Sequence, residues 1–190
     1  QTTSFITILG SAGVAIGLSL QGSLSNFAGG ILILILKPFV VGDYVSVCGC
    51  EGTVAVISLF YTTLHTVDNR NVVLPNGSLS NSNITNYSAN EIRRVDMSVD
   101  VGYGSDLKKA REVIMDILNQ DERILKDPAP VVAVDNLGDS GVNVLIRPWV
   151  KCEDYWAVKW SVLEAVHNRL NAEQIDIPFP QMTVHLEQNS

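Results

Sequence analysis

Charge is what the first part of this chain lacks. From Gln1 to Leu36 there is no Asp, Glu, Lys, Arg or His. A transporter or proton relay inside a membrane would normally place an ionisable side chain there, and none is available. Cysteine is scarce as well. Cys48, Cys50 and Cys152 are an odd number of thiols, which builds no disulfide framework and suits a reducing compartment. Cys48-Gly49-Cys50 has no second ligand pair, and His65, His167 and His185 are scattered without zinc spacing, so neither a metal centre nor a cofactor is expected. Basic residues are few: 13 Lys and Arg stand against 20 Asp and Glu, for a net charge of −7. They form no stripe of the kind that nucleic acid phosphates require, so nucleic acid is not an expected partner. Nor is there a Ser/His/Asp, Cys/His or paired-carboxylate arrangement that would mark an enzyme. The nearest is His65 with Cys48 or Cys50, which reads as structural. A cleavable signal is also missing, with no basic n-region and an apolar run that is too long.

What is present is that apolar run itself. About 20 such residues span a bilayer, so this run would overshoot as one straight helix. Leu20-Gln21-Gly22-Ser23 supplies a polar amide beside a glycine, and the reading is two helical segments with a kink near Gly22. Before Gly22 the residues are small; after Gly29-Gly30 they become Ile31-Leu32-Ile33-Leu34-Ile35-Leu36. At about 100° per residue, Gly10, Gly13 and Gly17 fall on one stripe. Ala12, Ala15 and Ser19 form a second, about 160° away. Val14 and Leu18 make a narrow ridge between them, and Leu9, Ile16 and Leu20 lie opposite. Small stripes let membrane helices approach closely, and two such flanks suit a ring of identical copies closed by rotation. The Val14–Leu18 ridge then faces the ring axis as an aliphatic constriction that can gate by dewetting.

Gly13-Val14-Ala15-Ile16-Gly17-Leu18-Ser19-Leu20-Gln21-Gly22-Ser23-Leu24-Ser25-Asn26-Phe27-Ala28-Gly29-Gly30 resembles the pore helix of the bacterial small-conductance mechanosensitive channels. So do Lys37-Pro38-Phe39, Gly42-Asp43-Tyr44-Val45, Leu74-Pro75-Asn76-Gly77 and Pro178-Phe179-Pro180-Gln181-Met182. The resemblance covers nearly the whole chain. It implies a homoheptameric channel of the bacterial inner membrane, opened by tension in the lipid bilayer and releasing ions and small solutes on osmotic downshock. By position, the family's gate residues fall on Val14 and Leu18. Val14 departs mildly from the usual leucine, and the shorter side chain narrows the pore less. The packing glycines fall on Gly10, Gly13 and Gly17 with Ala15 as partner, the kink on Gly22, and a position implicated in inactivation on Asn26. Family members carry two further membrane helices before this one. With no initiator Met, the chain is expected to be a piece of a longer or partly determined protein.

After the run, Lys37 is consistent with a cytoplasmic exit, so the residues after 37 are expected in the cytoplasm. Pro38 to Asp43 makes a turn. Strands are expected at Tyr44–Cys48, Gly52–Ser58, Phe60–Val67 and Val72–Leu74, with a hairpin turn at Asp68–Asn71. Short strands with tight turns describe a small β-barrel or curled sheet; the family's corresponding domain is Sm-like. Asn81–Tyr87 reads as turn residues or a last edge strand, and its Asn-x-Ser/Thr matches as turn chemistry rather than glycan acceptors.

Beyond Arg93-Arg94, Val95–Val101 alternates as a strand. Ser105 is expected to cap a helix from Asp106 to about Asn119 whose inner face is Leu107, Ala110, Ile114, Ile117 and Leu118. Strands at Val131–Asn136 and Val142–Val150 flank a Gly138–Gly141 turn. A second helix runs from about Asp154 to Ala172 with Tyr155, Val158, Val162, Val166 and Leu170 as its seam. The order resembles a split βαβ, ferredoxin-like α+β domain. Of Trp149, Trp156 and Trp160, two read as core or subunit contacts rather than a ligand pocket.

Gln181–Glu187 alternates as a strand with nothing left in the chain to pair with, and the family places a heptameric β-barrel there. A ring of His185 and Glu187 facing inward would favour cations; Met182, Val184 and Leu186 inward would make the filter neutral. The expected architecture is therefore a kinked pore-lining transmembrane helix at 1–37, an Sm-like β domain at 38–90, an α+β domain at 91–177 and a barrel strand at 178–190. Two other classes compete with the channel. One is a membrane transporter subunit using the broken helix as a substrate site; the other is a membrane-tethered enzyme. Each lacks the ionisable or catalytic side chains it needs.

Overall fold

The run without charges folds as one helix, α1, Thr2–Leu36. The computed structural model describes residues 2–184, and within them the chain divides into two units, residues 1–89 and 90–190. The expected division of α1 into two segments does not occur: Gln21, Gly22 and Ser23 are all helical. One glycine costs a helix about 1 kcal/mol, too little to interrupt a ladder propagated from long helical stretches on both sides. Lys37 ends the helix at φ 48°, with its N–H donating to the Ile33 carbonyl at 2.9 Å. Pro38 then prevents continuation.

The first unit continues with five strands and one short helix. These are β1 (Tyr44–Val47), β2 (Cys50–Ile57), β3 (Tyr61–His65), β4 (Asn71–Pro75), α2 (Asn76–Ser80) and β5 (Ile84–Asn86). They form one antiparallel sheet in the order β4-β3-β2-β1-β5. Cys48 and Gly49, both at positive φ (51° and 73°), make the two-residue β1–β2 hairpin, whose mirror-image turn suits the strand twist. A register shift between Val54 and Val56 in β2 bends the sheet locally. Val45, Val47, Val54 and Leu64 of the sheet and Leu79 of α2 are buried in one core, which Ile33 of α1 and Phe39 just beyond its end also join. The polar 81–87 stretch does supply the last edge strand, β5. Helix α2 is a departure from the expectation, which ended the strand at Pro75-Asn76-Gly77 without starting a helix.

In the second unit, β6 (Ile92–Arg94) pairs with β10 (Trp149–Lys151). A three-stranded sheet contains β7 (Met97–Val101), β9 (Val142–Arg147) and β8 (Val131–Leu137) in that order, every neighbour antiparallel. β7 and β8 therefore run parallel with β9 between them, joined through α3 (Leu107–Gln120). The strand expected from Val142 to Val150 is divided at Pro148, which has no N–H for a ladder. Helix α4 (Tyr155–Ala172) follows a short 3₁₀ turn. Its five expected seam residues are all buried, in one core with Ala110, Val113, Ile114, Ile117 and Leu118 of α3 and with Val144 and Ile146 of β9. The cap of α3 is Asp106 rather than Ser105: its Oδ1 accepts from the Lys108 and Lys109 N–H groups at 2.9 and 3.1 Å. Trp156 and Trp160 are not core residues. They lie exposed on α4 with ring centroids 5.8 Å apart, and Lys159 sits over the Trp156 ring.

Candidate functional site: the uncharged helix and its seat

Helix α1 has two physically different halves. From Ile8 to Ala28 its residues are almost all uncovered by the chain; Val14 is 64% and Leu18 67% exposed. A Cβ added at Gly10, Gly13, Gly17 or Gly22 would meet nothing within 4 Å. Both small-residue flanks and the Val14–Leu18 ridge are thus open surface on a single chain. The segment long and apolar enough to cross a membrane is Ile8–Leu36, 29 residues. At about 1.5 Å per residue this is roughly 43 Å, longer than the roughly 30 Å of a bilayer core.

The excess is accounted for by the second half, which is docked. Asn26, Gly29, Gly30 and Ile33 are spaced i, i+3, i+4 and i+7, one stripe of a helix. Asn26 is half-buried and the other three are buried. The Asn26 Oδ1 accepts a hydrogen bond from the Gly77 N–H at the start of α2, 3.0 Å away. A Cβ on Gly29 would lie 2.5 Å from the Asn76 carbonyl oxygen, and one on Gly30 would lie 2.1 Å from the Leu59 carbonyl oxygen. Only glycine allows the backbone of α1 to come this close to the two loops beneath it. The approach is reciprocal, since a Cβ on Gly77 would meet the Ser25 Oγ at 2.7 Å. Phe27 and Phe60 flank the contact with ring centroids 6.0 Å apart.

The seat is polar underneath. Asn76 is fully buried; its Nδ2 donates to the Ser58 carbonyl at 2.8 Å and its Oδ1 accepts from the Thr62 Oγ1 at 2.8 Å. Its own backbone N–H donates to the Phe60 carbonyl at 2.9 Å. No ionisable group enters this contact, so its strength is set by packing and neutral hydrogen bonds.

Of the residues expected to act, the structure brings Asn26 against a partner. It leaves Val14, Leu18, Gly10, Gly13, Ala15, Gly17 and Gly22 on open helix surface. His185 and Glu187 lie outside the described residues, and Gln181–Val184 belong to no strand. Sequence reasoning passed over Gly29, Gly30, Asn76, Gly77 and Thr62 as a set. A signal was there: a Gly-Gly pair opening a bulky aliphatic run, on one stripe with Asn26.

Elsewhere the described residues offer little chemistry. Cys48, Cys50 and Cys152 form no disulfide; the Cys152 thiol donates to the Asn90 carbonyl at 3.0 Å, and the Cys48 sulfur lies 3.2 Å from the Ser82 hydroxyl. Among the described residues no three His, Cys, Asp or Glu side chains gather as metal ligands. The carboxylates held below their usual range are those beside a partner: Asp68 by the Thr66 hydroxyl, Asp96 by Arg94, Asp121 by Arg123 and Glu173 by Lys109.

Residues 22–89 match the family described as mechanosensitive ion channel, beta-domain, and residues 95–177 match mechanosensitive ion channel MscS, C-terminal. An uncharacterized MscS family protein of Synechocystis is 44% identical over 188 residues, 99% of this chain and 64% of that protein. The small-conductance mechanosensitive channel of Edwardsiella ictaluri is 44% identical over 178 residues, 94% of this chain and 62% of its own length. The chain thus spans about two thirds of the length of these relatives. The crystal structure of Helicobacter pylori MscS in its closed state superposes with a TM-score of 0.94 at 39% identity, covering 100% of this chain and 75% of that one. With two family matches between residues 22 and 177 and this fold in common, the chain belongs to the MscS family of mechanosensitive ion channels.

Proposed function

We propose that this chain is the pore-forming part of a channel opened by membrane tension, releasing ions and small osmolytes on hypoosmotic shock. The observation that carries the reading is α1 itself: a helix without charges, open on both small-residue flanks and docked at its base on α2 and the loop before β3. Tension favours whichever state occupies more membrane area, so a gate needs a helix that can tilt or slide against its copies. Gly10, Gly13 and Gly17 on one flank, meeting Ala15 and its neighbours on the next copy, form a joint without interlocking knobs. Val14 and Leu18 then ring the axis and close it by dewetting, with Gly22 as the hinge above the docked base.

Seven copies, a bacterial inner-membrane location and a cytoplasmic placement after residue 37 belong to the same proposal. So do the Sm-like assignment of the first sheet and the split βαβ assignment of the second, which β9 between parallel β7 and β8 supports. A terminal barrel with His185 and Glu187 as its selectivity ring completes it. The transporter reading loses its premise, because α1 is not broken.

Patch-clamp recording tests the gate. Gly13→Ser or Gly17→Ser is expected to shift the opening tension, and Leu18→Ser to leave the pore leaky and growth impaired. Normal thresholds and normal closed-state conductance in all three would refute the assignment. Native mass measurement in detergent is expected to find seven copies. Glu187→Gln moves the reversal potential only where Glu187 lines the ion path.

A further inference from the structure

Among the described residues, Thr62 and Asn76 are the two buried polar side chains, and they are bonded to each other. Burying such groups costs free energy unless they are hydrogen-bonded, and here each side-chain polar atom of the pair has a partner. The pair lies directly under the helix: the Asn76 Nδ2 is 2.8 Å from where a Gly30 Cβ would be. Its bonds cross between the two loops that wall the seat, the Ser58–Phe60 connection and the β4–α2 junction. The Leu59 and Asn76 carbonyls against which Gly30 and Gly29 rest are therefore held in place by one buried amide and one hydroxyl.

We infer that Asn76 and Thr62 are positioning residues for the pore helix: their buried hydrogen bond braces the seat of Gly29 and Gly30 and sets the tension at which α1 leaves it. The inference rests on the channel reading above. The docked arrangement superposes on the closed-state structure of Helicobacter pylori MscS, and in this inference the seat is a contact of the closed state. Weakening it raises the population of any state in which α1 has moved off, by the differential stability of the two. Thr62→Val keeps the shape and removes the donor, leaving the Asn76 Oδ1 without its bond. Thr62→Ser keeps the hydroxyl.

The experiment is patch-clamp recording of the full-length channel carrying these changes. Thr62→Val is expected to open at lower tension than wild type, with the open-to-closed ratio at fixed tension raised by up to about fivefold per subunit, the full worth of one buried hydrogen bond setting the upper bound. Thr62→Ser is expected to restore the wild-type threshold. In an Asn26→Ala background, where the helix is already loosened, the Thr62→Val shift is expected to shrink. A purely structural role would lower the melting temperature of Thr62→Val and leave its threshold alone. That result, a shift that Thr62→Ser does not rescue, or full additivity with Asn26→Ala would overturn the inference. Wild-type protein without tension-gated current would instead overturn the channel reading itself. Should Thr62→Val not assemble, Asn76→Ser, which shortens the brace, replaces it with the same expected direction.

Discussion

At the scale of single residues, the glycines of α1 do two different jobs that composition does not separate. Gly22 faces open space, while Gly30 is pressed against a backbone carbonyl. Gly30→Ala is expected to force α1 off its seat and destabilise the first unit by about 1–3 kcal/mol, the usual cost of overpacking. Gly22→Ala, with open space for its Cβ, is expected to leave that unit's melting temperature unlowered or slightly raised by helix propensity. Thermal unfolding of the two variants in detergent, read side by side, checks both. The two small-residue flanks and the Val14–Leu18 ridge between them were legible from spacing alone, because a helical wheel needs nothing else; their role as a gate is the proposal. Asn26 was legible by resemblance, but its partner Gly77 was not. The bond joins residues far apart in the chain, and no local pattern records which loop comes to lie under which turn of a helix.

Elements tell a similar story. The second unit's helices were readable nearly to the residue because their buried stripes repeat at 3.6, and the α4 seam is the clearest case. Their ends were less so. Ser105 and Asp106 both offer a capping oxygen, and backbone geometry chose between them. Asp106→Ala is expected to cost about 1 kcal/mol, a typical cap. Ser105→Ala removes only an acceptor for the Asp176 N–H, 3.2 Å away and exposed, and should cost less. Urea denaturation of both variants distinguishes the two assignments, and an equal loss would return the cap to Ser105. Short elements such as α2, β6 and β10 have too few residues to show a period. The unbroken α1 was misjudged for the opposite reason, since a local breaker was given more weight than the cooperativity of 35 helical residues.

For the molecule as a whole, the acidic balance has a consequence for stability. The Arg123 guanidinium donates to Asp121 at 2.8 and 2.6 Å, and this hydrogen bonding holds the Asp121 carboxyl below the usual range against the opposing effect of partial burial. A carboxyl depressed in the folded state stabilises it above the unfolded value, roughly 4, and that contribution is lost as pH falls through the folded value. Asp121→Asn is expected to lower stability near neutrality by about 0.5–1 kcal/mol, a modest figure because Arg123 is partly exposed and screened. It should also flatten the acid side of the stability curve. Melting temperatures of wild type and Asp121→Asn between pH 3 and 7 test this, and parallel curves would remove Asp121 from the account.

By itself the sequence determined that an uncharged helix precedes a β-rich unit and an α+β unit. It also determined most of the residues that face inward along α3 and α4, since hydrophobic burial follows period and side-chain type. Only the tertiary structure decided where the membrane-length run stops being free. Its last turns are held by Gly29 and Gly30 against carbonyls from distant loops, and a backbone-to-backbone approach of that kind leaves no side-chain pattern to read.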